Sequence, residues 1–199
     1  MRPVPICAFT MAAMASLAGA ASPVRGAALT IVLQFQGPPP SRSLPEMKRE
    51  FEALFQGSGL SFAWLLREEA SGRSFDNLML IRFKGKCVLD PLPWLYDERG
   101  PLAYTHSTDG AVQPFSEVAC EHVAAAARSA MSGGDFNHTD LLFGRALGRV
   151  IAHEVVHMLS KSGTHGNQGV AKAALSGSSL IAPDLHPSPA ELERIYTLP

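Results

Sequence analysis

The sequence has no surplus of either charge: 17 Lys and Arg stand against 18 Asp and Glu, for a formal net charge of -1 and a pI near 6.6. Without a basic surface, nucleic acid and anionic membranes are poor partners, and small or peptide-like ones fit better. No apolar run approaches the roughly 20 residues that a membrane-spanning helix needs, so stable membrane insertion is not expected. Repeats and low-complexity tracts are missing. So are a nucleotide-binding glycine loop, a Gly-x-Ser-x-Gly elbow and a reactive cysteine setting. What is present is 46% hydrophobic residues in 199, enough for one well-buried core and too few for two ordinary domains beside a leader.

The first 20 residues read as a secretory signal peptide. Arg2 supplies the positive start, residues 6–17 are almost uninterruptedly apolar, and Ala18-Gly19-Ala20 is an A-x-A cleavage site. A secreted or periplasmic location follows, with a single domain expected over residues 28–199. Of the three cysteines, Cys7 leaves with the leader, so Cys87 and Cys120 form an even pair in an oxidising compartment. Joined, they close a loop of about 32 residues, worth roughly 3 to 4 kcal/mol. Two separate buried thiols are the alternative.

Residues 29–35, with their β-branched and apolar run, suit a buried strand. After Pro38-Pro39-Pro40, Ser43 and Glu46 form a capping-box pattern, and Met47, Phe51, Leu54 and Phe55 recur at helical spacing until Gly57. Residues 60–66 and 77–83 are two further strands around a polar turn at 68–74, and proline-rich residues 90–100 form a loop. Asp109-Gly110 joins residues 102–108 and 111–119 in a hairpin, in which Pro114 requires a bulge or an exposed side. Residues 121–131 are a short alanine-rich helix. A long helix runs from Thr139 or Asp140 to about Lys161, with Gly163 as its stop and an apolar circumference broken mainly by Arg145 and Arg149. Residues 167–184 wrap below it, and Ser188, Pro189 and Glu191 cap a last helix to about residue 197.

That long helix carries Ala152-His153-Glu154-Val155-Val156-His157-Met158. His153 and His157, four residues apart, share a helix face and can reach one ion, while Glu154 lies about 100° away, placed to accept a proton from water at the ion. With 7 His and 11 Glu in the chain, His-Glu-x-x-His arises by accident with a probability of about one in a hundred, so context decides. A catalytic zinc normally takes three protein ligands. His165, eight residues past His157, is the favoured third; Asp184, Glu191 and Glu193 are the alternatives. Among the other histidines, His106 is best placed to lie near a cleft. His122, His138 and His186 read as surface or hydrogen-bonding residues.

The order strand, helix, three strands, Asp-Gly hairpin, long helix with His-Glu-x-x-His and downstream histidine resembles the metzincin clan of zinc peptidases over roughly residues 28–166. The resemblance implies an α+β, zincin-like fold: a twisted sheet of four to five strands, a covering helix, a buried active-site helix and a small C-terminal subdomain. It implies a Zn2+-dependent metallopeptidase in which His153, His157 and His165 hold the metal and Glu154 is the general base. A peptide or protein substrate lies antiparallel on the strand beginning at Leu102. The clan's glycine and third histidine have Ser160 and Gly163 at their positions here, with His165 two residues later. No methionine follows Met158, leaving Val170 or Leu175 to floor the site. Tyr104 and Tyr196 are candidates to assist the oxyanion. The alternatives are a zincin-fold protein that binds metal or peptide without turnover, and a zinc amidohydrolase acting on a non-peptide substrate.

Overall fold

A computed structural model describes residues 28–89 and 100–185. The expected leader, most of the 90–100 loop and the last helix, with His186, Glu191, Glu193 and Tyr196, lie outside the described residues. Among the described residues, five strands form one mixed sheet: β1 (Ala28–Phe35), β2 (Ser61–Leu66), β3 (Leu78–Lys84), β4 (Ala103–Thr108) and β5 (Ala111–Ala119). Their order is β2-β1-β3-β5-β4, parallel throughout except for the antiparallel β4–β5 hairpin, which leaves β4 at an edge. Helices α1 (Leu44–Leu54), α3 (Cys120–Ser129) and α4 (Thr139–Ser160) join them, with two short helices, α2 (Arg67–Ala70) and α5 (Gly177–Ile181). This is the α+β class, with the long helix nearly where periodicity places it.

Alternation along the strands decides which sheet face is covered. Ile31, Leu33, Ile81, Phe83 and Val118 are essentially inaccessible and belong to the same core as α1 and α4. Phe51 of α1 and Phe55 just after it meet Phe62 of β2 with ring centroids 4.8 and 5.3 Å away, and Trp64 lies 5.0 Å from Phe51. Helices α1 and α4 cross closely because α4 has glycine where they touch. A Cβ at Gly144 would stand 2.5 Å from the Ser43 carbonyl oxygen, and one at Gly148 would stand 2.6 Å from that of Met47. Cys87 and Cys120 form a disulfide, Cα–Cα 4.8 Å, tying the chain beyond β3 to the start of α3. No described helix is long and apolar enough to cross a membrane.

Two local expectations are corrected, and the arginines of α4 gain partners. The Ser43–Glu46 capping box does not form: Ser43 makes no side-chain cap, and Glu46 instead accepts from Arg49 Nε at 2.7 Å and faces Arg145. Arg145 and Arg149, the main break in the apolar circumference of α4, are turned inward. Arg149 is fully buried, its Nε donating to Glu50 Oε1 and its Nη1 to the Ser179 carbonyl, both at 2.7 Å; Arg145 Nη1 donates to the Ile181 and Ala182 carbonyls at 2.9 and 3.2 Å. These arginines hold the chain around α5 against α4, because unpaired buried charge is costly. Finally, α4 ends at Lys161, which takes the left-handed conformation (φ 51, ψ 31), and Gly163 is not the turning point.

Candidate metal centre

α4 presents His153 and His157 one turn apart, as their spacing requires. Each ring is oriented by a backbone carbonyl: His153 Nδ1 lies 2.7 Å from Val170 O, and His157 Nδ1 lies 2.7 Å from Ser162 O. A carbonyl only accepts, so both Nδ1 atoms carry the proton and both Nε2 atoms present lone pairs. These two Nε2 atoms face each other at 3.1 Å. Two acceptors at that separation repel unless a cation lies between them, and two ligands of a tetrahedral zinc with bonds of 2.0–2.1 Å stand about 3.3 Å apart. The donor set therefore fits a metal ion by chemistry and by spacing.

His165 completes the group. Ligand atoms of His153, His157 and His165 all lie within 4.8 Å of one another, and they are the His/Cys/Asp/Glu group among the described residues that could hold an ion. The tight turn at Lys161 brings the chain back, and the Ser162 hydroxyl, bonded to Thr164 Oγ1 and accepting from Thr164 N at 3.1 Å, shapes the next residues. Asp184 is exposed and outside the group. Val170, one of the two candidates to floor the site, is buried, and its carbonyl orients His153.

Burial sets the protonation of the site. It pushes the pKa of His153 down to about 4, against the hydrogen bond that its ring donates to the Val170 carbonyl and with the neighbouring His157 and His165 lowering it further. His165 is also lowered, by burial and then by His157. Glu154, 4% exposed, is raised, because burial outweighs the hydrogen bond from Thr105, the nearby His157 and the contact with Ser116. Neutral imidazoles beside a carboxyl of raised basicity suit both metal binding and proton acceptance.

The histidines and Glu154 line a cleft of about 680 Å³. Residues 100–105, leading into and along β4, form one wall, and Lys172 to Leu175 line it as well. Two expected neighbours turn their side chains away from Glu154. Thr105 faces Glu154, so by alternation Tyr104 and His106 point to the opposite face of the sheet. There the Tyr104 hydroxyl donates to Glu117, and His106 stacks on Phe115 with ring centroids 4.3 Å apart. Tyr104 is thus no oxyanion partner, and its hydroxyl is held by a carboxylate that Lys84 and Arg82 also approach. What reading the sequence missed is Thr105 and Ser116, the hydroxyls beside Glu154; the signal available was their place on facing strands of the Asp-Gly hairpin.

The chain matches no family model, and no curated protein matches it in sequence. The fold and the site define it as an α+β protein with a three-histidine cluster, close enough to bind a metal ion, on a buried helix beside a sheet edge. Which member of that class it is rests on the chemistry of the site.

Proposed function

We propose that this chain is an exported, zinc-dependent metallopeptidase of the zincin type, resembling the metzincins. The observation that carries the reading is the pair of Nε2 lone pairs at 3.1 Å, fixed by carbonyls behind them, with His165 alongside and a buried glutamate next in sequence to His153. His153, His157 and His165 would hold the zinc. The ion would supply Lewis acidity, lowering the pKa of water and polarising a carbonyl. Glu154 accepts the proton of the attacking water and returns it to the leaving amine, a role supported by its raised basicity and its place in the cleft. A purely structural zinc site needs no such base.

A peptide substrate is favoured over a non-peptide amide because β4 has a partner strand on one side only and lines the cleft with its neighbouring residues. An extended chain adds to such an edge through main-chain hydrogen bonds. Export is supported by the Cys87–Cys120 pair and by the leader-like first 20 residues. The test is hydrolysis of a peptide library by wild type and by Glu154→Gln. Wild-type cleavage abolished in the variant, with zinc content unchanged, is expected; a wild type that holds zinc and cleaves nothing overturns the peptidase reading in favour of a binding protein.

A further inference from the structure

We propose that Thr105 is a positioning residue for Glu154, so that the strand offered to the substrate also orients the general base. The inference rests on the peptidase reading and adds a residue to it. Thr105 Oγ1 donates to Glu154 Oε2 at 2.6 Å and lies 3.3 Å from the Glu154 carbonyl oxygen. Directly across the hairpin, Ser116 is Thr105's paired residue; it is fully buried and its hydroxyl donates to the Tyr104 carbonyl at 2.9 Å, which fixes the backbone beside Thr105. One carboxylate oxygen of Glu154 is thereby committed to the sheet, which leaves the other for water.

The backbone supports this placement. The β4–β5 register shifts between Thr105 and Ser107: Ser107 pairs with Val112, whereas Thr105 pairs with Ser116, so β5 contains two more residues than β4 between these pairs. Pro114, which cannot donate to the ladder, lies in that excess. Irregularities of this kind next to a site re-aim side chains, and here the shift sets Ser116 opposite Thr105, whose hydroxyl meets Glu154. A carboxylate on a flexible side chain would otherwise sample rotamers that point away from the cleft, and the short charge-assisted bond selects one. The Thr105 hydroxyl is spent on Glu154, so its effect runs through that carboxylate and belongs to the chemical step.

The test compares Thr105→Val, Thr105→Ala and Thr105→Ser in the full mature protein, measuring kcat, KM, zinc content and thermal midpoint. Losing one hydrogen bond to a charged group corresponds to about a ten- to hundredfold change. That loss is expected in kcat for Thr105→Val and Thr105→Ala, with KM within about twofold and zinc content unchanged, and Thr105→Ser restores the rate. Unchanged kcat in both Thr105→Val and Thr105→Ala, or a change confined to KM, overturns the assignment while leaving the peptidase reading in place. Absence of cleavage by wild type overturns both, and Glu154→Gln separates the cases.

Discussion

Glu50 and Arg149 form an ion pair between α1 and α4 that is buried on both sides, and removing one partner tests how the cleft is supported. In Glu50→Gln the guanidinium of Arg149, fully inaccessible, keeps the Ser179 carbonyl and loses its carboxylate. Breaking a buried pair from one side costs about 3–5 kcal/mol, and the remaining glutamine carbonyl places this variant near the lower end, about 3 kcal/mol. For a chain of this size that lowers the thermal midpoint by roughly 6–12 °C. Replacing both partners with apolar residues of similar volume, Glu50→Leu with Arg149→Met, removes the stranded charge and brings stability back to within about 2 kcal/mol of wild type. Urea titration of wild type, single and double variants measures both differences. A single variant within about 1 kcal/mol of wild type, or a double variant no more stable than the single, refutes the reasoning.

Gly148→Ala adds a Cβ 2.6 Å from the Met47 carbonyl oxygen, so α1 and α4 must separate; despite alanine's better helix propensity, denaturant titration should show a loss of about 1–3 kcal/mol. In the metal-free protein His153 binds fewer protons folded than unfolded, because its pKa is about 4 against an ordinary 6.5. Its contribution is present above pH 6.5 and is lost as pH falls from about 6.5 toward 4, by at most about 3 kcal/mol. Urea midpoints of the zinc-free wild type should therefore fall over that window, and His153→Ala should flatten the dependence.

How much of this could be read in the residues follows from how local each signal is. The His153–His157 pair and Glu154 need only a helical period, and α4 provides it. The hairpin needs only Asp109-Gly110, where Asp109 and Gly110 both adopt positive φ. Pro114 signalled an irregularity, yet an undisturbed two-residue hairpin pairs Thr105 with Pro114, and only the two-residue shift places Ser116 opposite it. The inward turn of Arg149 was hidden because charge on a helix usually marks a solvated face; its partner, Glu50, lies 99 residues earlier in the chain. The turn that returns His165 sits at Lys161, a residue type with no preference for left-handed backbone, whereas Gly163 carries the usual signal for such a turn. Long-range pairing and backbone strain decided these positions, and neither leaves a periodic trace.

The most direct measurement is the metal content of the purified mature protein and of His153→Ala, His157→Ala and His165→Ala. The account predicts about one zinc per chain in wild type, none retained by the first two variants, and weakened binding in the third. A correctly folded wild type that takes up no zinc, or His153→Ala and His157→Ala variants that bind it as tightly as wild type, would contradict it.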